Sequence, residues 1–197
     1  MEEPGGAVVV ERDDARERLA RQFAGITPWD EQEAAHVAEG LDWISSGAPL
    51  YRTDAPDVPD PHLVAYTVVV SPSEEILLVD HRKARLWLPS GGHVEPGEDT
   101  WQTVERECRE ELGVAARPSG TAGKRPFFVT ATRTRGARSH TDVSLWFLIE
   151  TDPITSYDEG EFAGIRWLSP AEVLAEPVER LDPHMHRFTG KLVKALG

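Results

Sequence analysis

The sequence has little cysteine and no long apolar run, and each absence excludes a class of protein. One cysteine in 197 residues cannot form an internal disulfide, which is typical of proteins in a reducing compartment such as the cytoplasm. No apolar run approaches the roughly 20 residues that a membrane-spanning helix needs. The acidic, polar N-terminus also lacks the basic start and apolar core of a signal peptide. We therefore expect a cytoplasmic protein with no membrane partner.

Basic charge is scarce as well. The chain has 21 Lys and Arg against 34 Asp and Glu, a formal net charge of −13. A protein that binds nucleic acid mainly through the phosphate backbone needs a basic face, so we expect no nucleic-acid partner. A hydrophobic content of 40% and a charged content of 28% are those of a globular protein. The length suits one well-filled domain with a small appendage.

The beginning of the chain predicts a helical extension. A first helix is expected to end near Phe23, with a short strand before it at residues 7–10. A second helix is expected to have Thr27 as its cap and Pro28 at its first position. Residues 49–61 are rich in proline and aspartate and read as an extended linker. The apolar face of the second helix either covers the core or serves as a lid or as a contact in a homodimer.

After the linker, β-rich apolar runs predict a series of strands. The first two are separated by a Ser-Pro-Ser turn, which favours a hairpin between them. The predicted strands are residues 63–70, 75–80, 127–132, 143–150 and 164–168.

The most informative stretch covers residues 92–114 and reads GHVEPGEDTWQTVERECREELGV. A glycine-rich loop leads into a predicted helix over residues 100–112, which Asp99 or Thr100 can cap and Gly113 can end. Apolar residues recur on this helix at a spacing that predicts packing on a core. These residues are Trp101, Val104, Cys108 and Leu112.

Three carboxylates share another side of this helix, because Glu107, Glu110 and Glu111 are spaced i, i+3 and i+4. Like charges at i, i+4 destabilise a helix by roughly 0.2–0.5 kcal/mol per pair. One interpretation is a solvated acidic face. The other is a site for a divalent cation such as Mg²⁺, which takes carboxylate and phosphate oxygens as ligands and would remove the repulsion.

The spacing around these acids favours the second interpretation, because it resembles the Nudix box. That signature is G-x5-E-x7-R-E-U-x-E-E-x-G-U, where U is a bulky aliphatic residue. The chain departs from it only at Cys108, where the family usually has Ile, Leu or Val, and a buried cysteine behaves as a small hydrophobe. Eight of the nine defined positions match, and Cys108 is the ninth. The eight matching residues are Gly92, Glu98, Arg106, Glu107, Glu110, Glu111, Gly113 and Val114.

The resemblance implies a fold and an activity. The fold is the Nudix α/β/α sandwich with a mixed curved β-sheet, expected over residues 61–197, with residues 1–60 as an N-terminal helical extension and linker. The activity is Mg²⁺-dependent attack of water on the diphosphate linkage of a nucleoside diphosphate joined to another moiety X. Mn²⁺ is an alternative cofactor. The expected partner is therefore a small nucleotide diphosphate substrate.

The resemblance also implies metal ligands. Glu107 and Glu111 are the main Mg²⁺ ligands, and Glu110 helps directly or through water. A backbone carbonyl of the glycine loop, from Gly91 or Gly92, completes the set.

Further roles are assigned by the same resemblance. Glu98 and Arg106 are expected to be structural, pairing so that the loop is held against the helix. Glu161 matches, better than Glu159, a glutamate that many Nudix proteins carry shortly before a strand ending in tryptophan. The general base is left open among three carboxylates: Glu110, Glu111 and Glu161.

Basic residues flank the box on both sides. The segment 124–140 contains five cations and no acid, and a basic island in so acidic a chain indicates an anion-binding wall. The alternative is a set of solvated loops. The candidates for substrate contact are Arg82, Arg85, Arg125 and Arg133. His140 and Asp142 lie at the end of this segment, but a lone histidine there is more often exposed than catalytic.

The sequence does not name the substrate, since clear markers of the ADP-ribose, dinucleoside polyphosphate and NADH hydrolases are absent. Two other functions stay open. One is a non-catalytic Nudix-fold sensor of a nucleotide, against which the intact box glutamates argue. The other is hydrolysis of a non-nucleotide diphosphate, which depends on a pocket that a sequence does not show.

Overall fold

The computed structural model describes residues 6–53, 59–134 and 139–197. Its helices in these ranges are α1 (Gly6–Ala24), α2 (Glu31–Ser45), α3 (Thr100–Leu112), α4 (Pro170–Ala175) and α5 (Met185–Leu196). Its strands are β1 (His62–Val69), β2 (Ile76–His81), β3 (Leu86–Leu88), β4 (Ser90–His93), β5 (Arg117–Pro118), β6 (Phe128–Arg133), β7 (Thr141–Glu150) and β8 (Phe162–Leu168). Within the described residues, no helix is long and apolar enough to cross a membrane.

The larger sheet is mixed and has β1 and β7 at its centre. Its strand order is β4-β1-β7-β5, and β6 also pairs with β7. β1 and β7 run parallel, whereas β4 is antiparallel to β1 and β6 is antiparallel to β7. Both central strands are buried over most of their length. Their near-continuous apolar sequence is what a strand covered on both faces requires.

The two faces of this sheet carry different helices. Phe147 on β7 belongs to the same buried cluster as Val104 and Leu112 of α3. The neighbouring Trp146 points to the opposite face, since side chains alternate along a strand, and there it stacks on Phe188 of α5 with ring centroids 5.0 Å apart. The mixed sheet therefore lies between α3 and α5, which is the expected α/β/α arrangement.

The predicted hairpin between the first two strands is wrong. β2 belongs to a separate three-stranded antiparallel sheet, ordered β3-β2-β8. Only an isolated bridge between Val70 and Ile76 joins the ends of β1 and β2. The reason is that β1 already pairs with β4 on one edge and β7 on the other, so neither edge is available for β2.

The N-terminal helices also differ from their predicted starts. Residues 7–10 lie inside α1; each residue added to a helix gains a hydrogen bond, and this outweighs the weak β preference of valine. The N-cap of α2 is Asp30, whose side chain accepts from the backbone N–H of Glu33, and not Thr27. Glu33 in turn accepts from the backbone N–H of Trp29.

The extension packs on the rest of the chain through buried contacts. Phe23 and Ile44 belong to the same apolar cluster as the inner face of α3. Lys191 of α5 donates to Glu33 at 2.7 Å in a buried ion pair. Thr100, at the start of α3, donates to Gln22 of α1 at 2.9 Å. These contacts favour the interpretation of the extension as a cover over the core.

Candidate active site

Helix α3 is fixed at both ends by its own sequence. The carboxylate of Asp99 accepts from the backbone N–H groups of Trp101 and Gln102, and the Gln102 side chain accepts from the Asp99 N–H, which completes a capping box. Gly113 ends the helix in the left-handed conformation at φ +67°, where glycine avoids steric strain. The helix therefore begins directly behind the glycine loop, with its carboxylates at a fixed distance from it.

The three glutamates on α3 are not equivalent. Glu107 and Glu111 are buried, with 8% and 5% of their surfaces exposed, whereas the side chain of Glu110 is 61% exposed. The backbone N–H of Gly91 donates to Oε2 of Glu111 at 2.8 Å. Glu107 and Glu111 thus face the loop, and Glu110 faces solvent.

Neighbouring atoms approach the backbone closely at two glycines, which the structure places in β4 and not in a loop. A Cβ on Gly92 would overlap the carboxylate of Glu107. A Cβ on Gly91, at φ +139°, would overlap the backbone carbonyl of Ala65. The backbone of β4 therefore lies directly against the carboxylate of Glu107, which brings the Gly91–Gly92 segment into the carboxylate cluster.

Arg106 ties the loop to the helix. Its Nε donates to Oε1 of Glu98 at 2.8 Å and its Nη2 to Oε2 at 3.1 Å, the two-point geometry that suits a guanidinium and a carboxylate. It also donates to Glu107 at 2.7 Å and to the backbone carbonyl of His93 at 3.1 Å. This pairing with Arg106 lowers the pKa of Glu98, so Glu98 stays ionised.

Burial dominates the electrostatics of the two inner carboxylates. Burial and the charge of Glu107 raise the pKa of Glu111 to about 9, although the N–H of Gly91 partly opposes them. Burial also raises the pKa of Glu107, against the opposing charge of Arg106. When both are ionised, these two buried carboxylates repel each other, and the site lacks the positive charge that would compensate them. The oxygen donors and their charge fit a hard divalent cation.

Glu161 lies on another element but close to this cluster. Its charge raises the pKa of both Glu107 and Glu111. Its Oε1 is 3.5 Å from Nε2 of His81 and 3.7 Å from Nζ of Lys83. The tight turn after β2 and the segment before β8 thus approach the carboxylate cluster together.

Sequence reasoning missed Asp158 as a neighbour of the cluster. Its charge also raises the pKa of Glu111, and its backbone N–H donates to the Glu111 carbonyl at 2.8 Å. A lone aspartate in an acidic loop carries no spacing signal, and only the docking of this loop on the end of α3 reveals it.

The four arginines predicted to contact substrate occupy different places. Arg82 donates to the carbonyl of Glu159 at 3.0 Å, next to the loop that carries Glu161. Arg85 is exposed in the turn after β2, at φ +56°. Arg125 is exposed and donates to the carbonyl of Ala122 at 3.4 Å. Arg133 pairs with Asp60 at 3.4 Å. Two further cations of the basic segment 124–140, Arg135 and Arg138, lie outside the described residues.

His140 and Asp142 are absent from the carboxylate cluster and belong to a second one. They lie with His62 and His93, and one ligand atom of each falls within 4.8 Å of the others. His93 directly follows Gly92 in β4, so its side chain points to the opposite face of the sheet from Glu107. The two clusters therefore adjoin through one strand but do not merge.

Comparison with known proteins gives a consistent picture. A family model described as the NUDIX domain matches residues 60–189. The chain is 32% identical over 111 residues to a Bacillus subtilis (strain 168) protein named "Putative 8-oxo-dGTP diphosphatase"; the match covers 55% of this chain and 67% of that protein. It is 30% identical over 141 residues to a Shigella flexneri protein named "Uncharacterized Nudix hydrolase YfcD", covering 68% and 69% of the two chains.

A solved structure with low sequence identity extends the likeness to the fold. The MutT protein from Methanosarcina mazei Go1 superposes with a TM-score of 0.54 at 17% identity, over 70% of this chain and 97% of that one. Identity at this level shows a shared fold and nothing about substrate.

Proposed function

Because this chain belongs to the Nudix family of hydrolases, we propose that it is a Mg²⁺-dependent nucleotide pyrophosphohydrolase. The reaction adds water across a phosphoanhydride bond of a nucleoside diphosphate joined to a moiety X. One new P–O bond forms, one anhydride P–O bond breaks, and two phosphorylated products result.

The observation that carries this proposal is the buried pair Glu107 and Glu111 facing the glycine loop. Buried carboxylates are costly unless something compensates their charge, and Arg106 reaches only Glu107 within this pair. We assign Glu107, Glu111 and the carbonyl of Gly92 as direct ligands of Mg²⁺. The exposed Glu110 contacts the ion through a bridging water molecule.

The bound Mg²⁺ supplies neutralisation of phosphate charge and acidification of water. The chain supplies the positioning. Arg106 and Glu98 hold the loop against α3, so that Glu107 and Glu111 keep their places when substrate arrives. Catalysis of phosphoanhydride cleavage depends chiefly on such positioning and on charge stabilisation.

We assign the general base to Glu161, because it lies beside the cluster on a separate element. Its side chain is 31% exposed, so it can contact water that is not enclosed by α3. In this assignment one oxygen of Glu161 accepts the proton of the attacking water, and Nε2 of His81 and Nζ of Lys83 lie 3.5 and 3.7 Å from its Oε1. A Glu161→Gln variant should bind Mg²⁺ normally and turn over at least about 100-fold more slowly.

The substrate class includes nucleoside triphosphates with an oxidised base. The Bacillus subtilis relative is named for 8-oxo-dGTP, which supports testing that compound first. Arg82 and Lys83 are the cations nearest the Glu161 loop, and we propose that they contact substrate phosphates. Arg85, Arg125 and Arg133 remain candidates for the same role.

The test is phosphate release, with Mg²⁺ and added pyrophosphatase, across a panel of compounds. The panel holds 8-oxo-dGTP, ordinary nucleoside triphosphates, nucleotide sugars, ADP-ribose, NADH and dinucleoside polyphosphates. Glu111→Gln keeps the shape of the side chain and removes its charge, and Glu39→Gln on the exposed face of α2 is the matched control. Turnover that needs Mg²⁺, survives in Glu39→Gln and disappears in Glu111→Gln would support the proposal.

Other outcomes point elsewhere. No turnover, with a nucleotide still raising the melting temperature, would favour the non-catalytic sensor. If there is neither phosphate release nor a change in melting temperature with any nucleotide, a non-nucleotide diphosphate would be favoured as substrate.

We also propose an arrangement for the rest of the chain. Residues 61–197 form the hydrolase domain, and residues 1–60 form an extension that covers its core. A single buried cysteine supports a reducing compartment such as the cytoplasm. Light scattering on the purified chain tests whether it is a homodimer.

A further inference from the structure

Three histidine side chains on the α5 side of the mixed sheet converge on one carboxylate oxygen, that of Asp142. Oδ1 of Asp142 lies 3.1 Å from Nε2 of His62, 3.2 Å from Nε2 of His140 and 4.0 Å from Nε2 of His93. The rings of His62 and His140 are stacked with centroids 4.7 Å apart. We call this group the histidine cluster.

Strand pairing brings these residues together. His62 and Asp142 are direct partners in the parallel β1–β7 register. His140 precedes Asp142 by two residues and so lies on the same side of the chain. His93 is the antiparallel partner of Val64, two residues after His62. Three of the four side chains therefore come from adjacent strands, His140 directly precedes β7, the third of these strands, and all four share one face.

In the neutral form of His62, two hydrogen-bond acceptors face each other. Nδ1 of His62 lies 2.8 Å from the backbone carbonyl of Pro59, and a carbonyl only accepts, so Nδ1 carries the proton. In the neutral ring Nε2 then offers a lone pair to the carboxylate oxygen of Asp142. His62 is fully buried, at 0% exposure. Nε2 of His62, Nε2 of His93 and Oδ1 of Asp142 are all buried without a hydrogen-bond partner.

We propose that the histidine cluster is a second metal site, separate from the carboxylate site, and that it binds a transition-metal ion of the Zn²⁺ type. A set of three imidazoles and one carboxylate favours Zn²⁺ over Mg²⁺, because Mg²⁺ prefers oxygen ligands. The Pro59 carbonyl orients His62 as an outer-shell partner does in known zinc sites. A cation placed between Nε2 of the neutral His62 and Oδ1 of Asp142 would turn the repulsion of their lone pairs into coordination, and His93 would join them once its proton lies on Nδ1.

The ligand atoms must move closer together to hold the ion. Tetrahedral bonds of roughly 2.1 Å place two ligand atoms about 3.4 Å apart, whereas the ligand atoms of the histidine cluster lie within 4.8 Å of one another. His93 and His140 are partly exposed, at 33% and 26% of their side chains. They can close on the ion, and they provide its route of entry.

Arg52 opposes metal binding at one ligand. Its Nη1 lies 3.4 Å from Nδ1 of His93. A metal on Nε2 places the proton on Nδ1, so Arg52 has to move away. Arg52→Ala is therefore expected to tighten metal binding about 10-fold or less, in the range observed for outer-shell changes.

The consequence for the protein is that a bound metal would fix the Gly91–Gly92 segment of β4, which lies against the carboxylate cluster. His93 follows Gly92 directly, and its carbonyl accepts from Arg106 at 3.1 Å. A metal bound by His93, His62 and Asp142 would join the end of β4 to the two central strands. The inference does not depend on the proposed hydrolase activity, because metal binding is measured directly.

The experiment uses the full chain stripped with a chelator and titrated with Co²⁺, then with Zn²⁺. Co²⁺ bound by nitrogen and oxygen ligands gives visible absorption, and Zn²⁺ should remove it at one equivalent. A coloured chelator in competition gives the Zn²⁺ affinity. A tenfold excess of Mg²⁺ should leave the Co²⁺ spectrum unchanged.

Variants separate this site from the carboxylate site. His140→Gln and Asp142→Asn keep side-chain shape and should each weaken Zn²⁺ binding at least about 100-fold. His186→Gln, on α5 outside the histidine cluster, is the matched control and should bind normally. The double variant Glu107→Gln and Glu111→Gln should also keep the Zn²⁺ site. Circular dichroism confirms that each variant is folded.

Three results would overturn the proposal. Absence of Co²⁺ and Zn²⁺ binding, with a protonated His62 by NMR, would make the cluster an imidazolium–carboxylate pair only. Equal binding by His140→Gln, Asp142→Asn and the control would place the metal elsewhere. Binding lost only in the double glutamate variant would assign the metal to the carboxylate site.

Discussion

Two clusters of ionisable side chains lie on opposite faces of strand β4, and they differ in the atoms and the net charge that they bury. On one face Glu107 and Glu111 bring oxygen atoms and excess negative charge, and Arg106 compensates part of it. On the other face three imidazoles surround the single carboxylate of Asp142. Oxygen-rich, strongly anionic sites select hard cations, whereas imidazole-rich sites select borderline ones. Adjacent sites in one fold can therefore hold different metals without competing.

The largest effect is expected from Glu111→Gln, which acts on the carboxylate side alone. It removes one buried charge and one ligand oxygen, so Mg²⁺-dependent turnover should fall at least about 100-fold. Steady-state kinetics of the variant and of Glu39→Gln measure this. Zn²⁺ affinity in the chelator assay should stay within about twofold of the parent chain. A simultaneous loss of both metals would mean that the two clusters form one site.

Gly92→Ala should produce the next largest effect. The added Cβ overlaps the carboxylate of Glu107, which must move and leave its position as a ligand. Turnover should fall roughly 10- to 100-fold, because small displacements of catalytic groups have effects of this size. Gly120→Ala is the matched control, since its Cβ would meet nothing within 4 Å. Full activity in Gly92→Ala would rule out Glu107 as a ligand held by the loop.

These two predictions concern the part of the molecule that the sequence describes well. Spacing alone fixes Glu107 and Glu111 on one side of a helix, and the observed α3 has the predicted bounds, Thr100–Leu112. The resemblance to the Nudix family and the expected α/β class are confirmed by the family match and by the solved structures. These features depend on residues that are close together in the sequence, so the spacing of residues is enough to predict them.

The histidine cluster could not be predicted from the sequence, because its residues are far apart in the chain. His62 and Asp142 are partners only through the parallel pairing of β1 and β7, and no spacing encodes that register. His140 alone resembled an exposed loop residue. The wrong hairpin has the same origin, because the partners of β1 are distant in the chain. Strand pairing over long separations is the information that a single sequence lacks.

pH should distinguish the clusters further. The pKa of Glu111 is about 9 in the metal-free fold against an ordinary value of 4.5. The folded chain therefore keeps a proton that the unfolded chain has released, and its stability falls as pH rises between these values. Urea unfolding in EDTA, at about pH 6 and about pH 8.5, should show this decline. The free energy of unfolding should decline less in Glu111→Gln than in the parent chain. In Glu39→Gln it should decline as much as in the parent chain.

Mg²⁺ should reverse the trend, because binding it releases the proton. The increase in melting temperature caused by Mg²⁺ should be larger at about pH 8.5 than at about pH 6. An increase that is the same at both pH values would contradict the assignment of Glu111 as a ligand that must ionise.

The smallest effect, and the one that tests the separation of the clusters most directly, is expected from Arg106→Lys. Arg106 contacts both the carboxylate cluster and the backbone of β4, since it donates to Glu107 and to the carbonyl of His93. Lysine keeps the charge but loses the two-point contact with Glu98. We expect the free energy of unfolding to fall by about 1–3 kcal/mol, as measured in urea. The exposed Arg109→Lys on the same helix should change it by less than about 0.5 kcal/mol.

The metal affinities of Arg106→Lys show whether this residue couples the two faces. If it holds the loop for both clusters, Mg²⁺ and Zn²⁺ should each bind more weakly, by similar factors. If only Mg²⁺ weakens, the histidine cluster is positioned by the pairing of β1 and β7 alone. In that case the catalytic loop can shift on its carboxylate side while the opposite face stays fixed.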